Sequence, residues 1–220
     1  MRVLLFGATG MVGQGVLLEC LRDPDVKTVV CIGRSPISQQ HQKLGELIRN
    51  DFLDYSDIED KLAGFDACFF CLGVSSVGMS EAAYRRVTYD ITLAAAQTVA
   101  RLNPGMTFIY VSGMGTDSSE RGRSMWARVK GKTENDLLRL PFKACCMFRP
   151  GVIVPLDGIK SKTGLYNFFL VALKPLLPFL KGRWLKYVTT TEQLGRAMLK
   201  ISKQGAAPKP ILESIDINAI

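Results

Sequence analysis

Three glycines, Gly7, Gly10 and Gly13, lie between an apolar run, Val3-Leu4-Leu5-Phe6, and an amphipathic stretch that starts at Met11 and Val12. A strand, a glycine turn and a helix in that order form an anion site. Gly7 permits the tight turn, Gly10 lets backbone N–H groups beside Thr9 approach a diphosphate, and Gly13 lets the helix lie close to the strand. The helix N-terminus then faces the anion. The competing reading is a glycine turn that merely joins strand to helix. The all-apolar strand directly before the motif argues for the dinucleotide.

Cofactor choice is read at the end of the second strand, where NAD binders carry a carboxylate for the ribose 2′-hydroxyl. Cys31-Ile32-Gly33-Arg34-Ser35 has none. A guanidinium at Arg34 forks onto a 2′-phosphate instead, which favours NADP(H) over NAD(H); its alternative is a solvated turn arginine. Asp51, with Phe52 at the end of the next expected strand, is placed to accept from the adenine amino group or simply to close a turn.

Composition removes other chemistries. With His41 the single histidine, a Ser/His/Asp triad or a multi-histidine metal site has almost no material. The six cysteines lie mostly in apolar runs such as Cys68-Phe69-Phe70-Cys71, not in the loops of a disulfide scaffold. They point to a reducing cytoplasm. Thiol redox work at Cys68 and Cys71 needs the first cysteine at a helix N-terminus, and both fall in an expected buried strand. The excess of 28 Lys and Arg over 20 Asp and Glu, formally +8, favours anionic ligands without choosing one.

These groups are positioned by alternating units. Apolar runs at 2–6, 28–32, 67–72, 107–112 and 144–148 alternate with amphipathic stretches at 11–22, 80–101 and 124–139. The spacing predicts an α/β domain of the Rossmann type, a doubly wound parallel sheet. Strands apolar on every residue require helices on both faces. Between Cys31 and Ala67 the pattern predicts a helix near 40–48, a short strand ending at Asp51-Phe52, and a helical turn at 57–62. The whole chain reads as one domain, with a dinucleotide-binding core over 1–150 and a substrate-side cap over 151–220.

With these motifs in place, the sequence resembles atypical or extended short-chain dehydrogenases/reductases, the epimerase/dehydratase-like kind. Cys71-Leu72-Gly73, Arg86-Val87-Thr88-Tyr89-Asp90, Val129-Lys130-Gly131-Lys132-Thr133-Glu134 and Phe148-Arg149-Pro150-Gly151-Val152 are most similar to the Tat-interacting-protein oxidoreductase family. The resemblance implies that Cys71, Leu72 and Gly73 lie beside the nicotinamide ribose and that Pro150, Gly151 and Val152 line the nicotinamide. It implies that Ser112 polarises a substrate carbonyl and that Lys130 holds the ribose hydroxyls. Simpler roles are a strand-end cap for Ser112 and a solvated helix lysine for Lys130.

Trp126 stands where the family has its catalytic tyrosine. An indole N–H donates a hydrogen bond but does not ionise usefully, so Trp126 is no general acid. Tyr84, Tyr89, Tyr110 or a water held by Ser112 then supplies the proton, or the chain binds NADP(H) without turnover, or its reaction needs no tyrosine. The expectation is an NADP(H)-dependent oxidoreductase or epimerase-like enzyme for an unidentified carbonyl or hydroxyl substrate; the alternative is a non-catalytic NADP(H)-binding regulator or assembly partner.

The aromatic and basic segment 164–186 contains Lys174, Lys181, Arg183 and Lys186 among Phe168, Phe169, Phe179 and Trp184. It would close the substrate pocket or meet a membrane face from one side. Pro175 and Pro178 interrupt it, which argues against a transmembrane span. No nucleic-acid module is recognisable.

Overall fold

The structure, a computed structural model, describes residues 1–159 and 187–220. Seven parallel strands form one sheet: β1 (Arg2–Phe6), β2 (Thr28–Gly33), β3 (Leu44–Ile48), β4 (Ala67–Phe70), β5 (Thr107–Val111), β6 (Ala144–Arg149) and β9 (Ile211–Glu213), in the order 3-2-1-4-5-6-9. Two short strands, β7 (Val152–Val154) and β8 (Val188–Thr190), pair in parallel beside it. The fold is the doubly wound Rossmann type.

Alternate residues of each strand feed opposite faces, which is why the runs are apolar throughout. Val3 and Leu5 of β1, with Ala67 and Phe69 of β4, pack under helix α1 (Met11–Arg22) and helix α6 (Thr191–Gln204). Leu4 and Phe6, with Cys68 and Phe70, pack under α4 (Ile91–Leu102) and α5 (Met125–Leu137). On that second face the Phe6 and Phe70 rings stack at 4.9 Å. Between the faces, α2 (Glu59–Leu62) and α3 (Glu81–Arg85) are short. A five-residue π turn, Arg86–Asp90, joins α3 to α4 and makes one long helical path of 81–102.

The predicted helix near 40–48 is instead the strand β3, and no strand ends at Asp51-Phe52. Leu44 to Ile48 pair in register with Val29 to Gly33, and Gly45, a poor helix former, sits where an added Cβ would lie 3.3 Å from the Val30 side chain. Pairing with the open edge of β2 outweighs the local pattern.

Residues beyond 150 join the main sheet and its helical layer. Ile211–Glu213 adds the seventh strand beside β6, and α7 (Ser214–Ala219) follows it behind a Glu213/Asp216 capping box. Helix α6 begins at Thr190, whose hydroxyl accepts from the Gln193 amide at 3.0 Å, and ends at Gly205 in the left-handed region. It lies directly on α1. The contact is close because two glycines allow it: a Cβ on Gly15 would stand 2.4 Å from Thr191, and one on Gly195 2.8 Å from Glu19. The buried Glu19 carboxylate pairs with Arg22 of its own helix at 2.9 Å and ties the two helices through Arg196 at 3.1 Å.

Segment 164–186, with its proposed pocket or membrane contacts, lies outside the described residues. Among those described, no helix is long and apolar enough to cross a membrane.

Candidate nucleotide and catalytic site

Strand order reverses between β1 and β4, the place where α/β sheets of this type open a crevice at the carboxyl ends of their strands. Here the glycine loop fills the mouth of that crevice. Gly7 has φ +81°, and a Cβ on it would stand 2.6 Å from the Leu72 amide nitrogen. A Cβ on Gly13 would stand 2.1 Å from the Gly7 carbonyl oxygen, so any side chain there forces helix and strand apart. The Gly10 amide donates to the Gly7 carbonyl at 2.9 Å, which closes the turn. No side chain caps α1, and its first turn has no acidic residue. The positive end of the helix dipole and the unpaired first-turn amides are left for an anion.

The crevice beyond has a volume of about 430 Å³. Gly7, Thr9, Gly10, Arg34, Phe52, Cys71, Leu72 and Gly73 line it. Met11, Val12 and Gly13 follow as the first turn of α1. Asp51 is not among the lining residues; its carboxylate accepts from the Leu53 amide at 2.8 Å, a turn contact, and Asn50 faces the crevice in its place.

A carboxylate that the sequence reading missed also reaches this end. Glu46 of β3 lines the crevice with Arg34 and Ser35, and accepts from the Ile37 amide at 2.8 Å. Assigning residues 40–48 to a helix hid it. The parallel pairing of β3 with β2, which sets Glu46 opposite Cys31, brings it to the end of the second strand. Val87 and Ile91, on and after the π turn, complete the opposite wall.

Beyond the crevice the ends of β5 and β6 carry a second group. The Ser112 hydroxyl lies 2.5 Å from Glu134 Oε1 and 3.2 Å from the Phe148 carbonyl oxygen. Glu134 is fully buried. Arg149 approaches both its oxygens, with Nε at 3.0 and 3.1 Å and Nη2 on Oε2. Lys130 Nζ donates to the Ser112 carbonyl oxygen, and burial draws the lysine down to about 8 while Glu134 pulls it upward. Lys130 and Glu134 are one helical turn apart on α5, a spacing of four that the motif already contained.

At the end of β6, the Pro150 carbonyl accepts from the Met114 amide at 2.9 Å and the Gly151 amide donates to Ser214 Oγ at 2.9 Å. Val152 opens β7. A Cβ on Gly151 would stand 2.6 Å from the Tyr187 carbonyl oxygen. Trp126 lies against Gly115, where a Cβ would stand 3.4 Å from its ring.

The three tyrosines named as substitute proton donors are engaged elsewhere. Tyr84 and Tyr110 are buried at 2% and 1% exposure, and desolvation pushes both hydroxyls up. Tyr89 donates to Asp136 Oδ2 at 2.7 Å. The Cys68 and Cys71 thiols are likewise pushed up by burial, so neither is a ready thiolate.

The sequence matches the family described as NAD(P)H-binding over residues 7–137. It is 31% identical over 223 residues to "Protein FMP52, mitochondrial" of Eremothecium gossypii, covering 99% of this chain and 96% of that protein. It is 27% identical to Protein HTATIP2 of Rattus norvegicus over 165 residues, covering 74% of this chain and 66% of that one. Among solved structures, MoeE5 in complex with UDP-glucose and NAD has a TM-score of 0.69 at 16% identity, over 96% of this chain and 75% of that chain.

These relatives overturn the cytoplasmic placement expected from the cysteines, since the Eremothecium protein is named as mitochondrial, as are FMP52 proteins of two further yeasts. Buried unpaired cysteines fit a reducing environment but do not choose among compartments. Glycine cradle, sheet order and sequence match agree. The chain belongs to the NAD(P)H-binding family and shares the fold of solved short-chain dehydrogenase structures.

Proposed function

We propose that the chain is an NADP(H)-dependent oxidoreductase or epimerase-like enzyme acting on a carbonyl or hydroxyl substrate. The observation that carries this is Lys130: a partly buried amine with its pKa drawn to about 8, held at the end of β5 by the Ser112 carbonyl. A perturbed amine at the carboxyl ends of the strands is a feature of sites that handle protons.

The residues fit a dinucleotide. The amides of Met11, Val12 and Gly13 would meet the diphosphate, with Gly10 beside it in the turn, because no side chain caps the helix and no acidic residue stands in its first turn. Phe52 would meet the adenine, with Asp51 on the turn behind it. Arg34 would take a 2′-phosphate. Cys71, Leu72 and Gly73 would flank the nicotinamide ribose, Lys130 would meet its hydroxyls, and Pro150, Gly151 and Val152 would line the nicotinamide. When bound, the nicotinamide supplies or accepts a hydride. The protein's own part is to orient the substrate, exclude water and move a proton.

Residues 151–220 would shape the substrate side. Met114 and Tyr187 are exposed by 49% and 41% beside Gly151, a rim suited to a substrate with an apolar portion. The names of the FMP52 relatives support a mitochondrial site of action.

The test is titration calorimetry with NADPH and NADH, followed by absorbance of reduced nicotinamide with a panel of aldehydes and ketones. Binding with turnover supports the enzyme. One observation favours a second reading, a non-catalytic NADP(H)-binding regulator: Trp126 replaces the tyrosine and the Ser112 hydroxyl is engaged inward. Tight NADPH binding with no turnover across the panel would select it.

A further inference from the structure

We propose that the Lys130 ammonium itself exchanges the proton with the reacting oxygen of the substrate, the part played elsewhere in the family by the tyrosine that Trp126 replaces. This rests on the oxidoreductase reading above and names its missing acid.

The argument begins with the single proton on Ser112. Both groups within its reach on the protein side, Glu134 Oε1 at 2.5 Å and the Phe148 carbonyl at 3.2 Å, are acceptors. The bidentate fork of Arg149 on Glu134 leaves that side chain a carboxylate, which accepts and cannot donate. The Ser112 proton is therefore committed inward, and the hydroxyl shows the substrate only lone pairs. Ser112 can receive a hydrogen bond from a substrate hydroxyl. It is not the donor to a carbonyl oxygen that the family resemblance implies.

The other candidates also drop away. Tyr84 and Tyr110 are sealed in the interior, and Tyr89 gives its proton to Asp136. Lys130 remains. It lies one turn beyond Trp126 on α5, and one of its three N–H bonds is used on the Ser112 carbonyl, leaving two for ligands. Among the described residues, the charged groups that face it are Glu134 on the same helix and, behind Glu134, Arg149 of β6. Burial brings its titration near neutrality, so ammonium and amine are both populated and the group serves either direction.

The step balances. In reduction, the carbonyl carbon accepts a hydride from a reduced nicotinamide nucleotide and the C=O π pair moves to oxygen. One Lys130 N–H bond breaks as the new O–H bond forms. The neutral amine then regains a proton from solvent. In oxidation, the amine removes the hydroxyl proton as the carbon loses its hydride.

Two measurements test this. The first needs no substrate: acetylation of Lys130 by a water-soluble succinimidyl ester, followed by peptide mass spectrometry between about pH 6.5 and 10.5. The expected midpoint is near 8 for Lys130 alone, with protection by NADPH; a midpoint at the ordinary lysine value overturns the proposal.

The second is single-turnover oxidation of NADPH with the aldehyde and ketone panel, at saturating NADPH. The wild-type rate should fall about tenfold per pH unit above about 8, and Lys130→Met should cost roughly 10²- to 10⁴-fold. Trp126→Tyr, placing a phenol beside the lysine, should flatten that fall. Lys130→Met turning over at the wild-type rate, or a wild-type rate independent of pH, overturns the proposal and leaves the oxidoreductase standing. A wild-type protein silent with every carbonyl, yet showing the acetylation midpoint near 8, overturns the oxidoreductase reading, and the proton-donor role falls with it.

Discussion

The hydroxyl of Ser112 and the carboxylate of Glu134 meet at 2.5 Å across the gap between β5 and α5, with Arg149 closing the other side of the carboxylate. That arrangement places a strand-end serine, a helix glutamate and an arginine from the next strand in one buried polar cluster. Glu134 is the member that both of the others share.

Glu134→Ala therefore leaves the Arg149 guanidinium, 11% exposed, without its partner. Breaking a buried ion pair from one side costs about 3–5 kcal/mol. Urea unfolding should show a loss of that size. Glu134→Gln, which preserves shape and one acceptor oxygen, should cost less; equal loss for the two would show that charge rather than shape holds the cluster.

Gly13→Ala should abolish nucleotide binding more readily than it unfolds the protein. The new methyl meets the Gly7 carbonyl at 2.1 Å, and relief requires α1 to move off β1, which withdraws the first-turn amides from a diphosphate. Overpacking of this kind costs about 1–3 kcal/mol of stability. Calorimetry should show NADPH affinity lowered by at least about tenfold, in a variant that thermal melting still finds folded.

Two side chains of opposite charge, Arg34 and Glu46, line the same crevice. Arg34→Ala should weaken NADPH by about 1.5–3 kcal/mol, the contribution of a charge-assisted hydrogen bond, and NADH much less. Glu46→Gln removes a negative charge from the same wall and should tighten NADPH relative to NADH. Paired titrations with both nucleotides check the two changes. Equal effects on both nucleotides would remove the reason for placing a 2′-phosphate there.

Lys130 also gives stability a pH dependence of defined sign. Its folded value is about 8 against 10.5 for the free side chain, so between those values the unfolded chain binds more protons and stability rises with pH. The cost of burying the ammonium is fully present below pH 8 and disappears as the pH approaches 10.5. Wild type minus Lys130→Met should thus gain up to about 3 kcal/mol across that interval. Denaturation at a series of pH values reads it, and the subtraction cancels the other groups that titrate there.

The glycine loop was legible because each of its glycines answers a local backbone demand that spacing alone states. The central strands were legible for a similar reason: a run apolar at every position has few alternatives once helices flank it. Leu44 to Ile48 was not, because Gly45 and Glu46 break the apolar run and only pairing with β2 makes those residues a strand. Glu46 was lost with it. Asp51 failed to reach the crevice for a local reason, its carboxylate being taken by the Leu53 amide.

At the ends of β5 and β6, residue types were visible and proton directions were not. Ser112, Lys130, Glu134 and Arg149 all stand in recognisable motifs, yet nothing in the sequence says that the serine donates to the glutamate. That depends on β5, α5 and β6 converging.

The seam between α1 and α6 has a consequence for biosynthesis. Gly15 meets Thr191 and Glu19 meets Arg196, so the helix that follows the glycine loop is braced by residues translated some 180 positions later. A nascent chain halted after its first six strands would carry every loop glycine and still expose the apolar flank of α1.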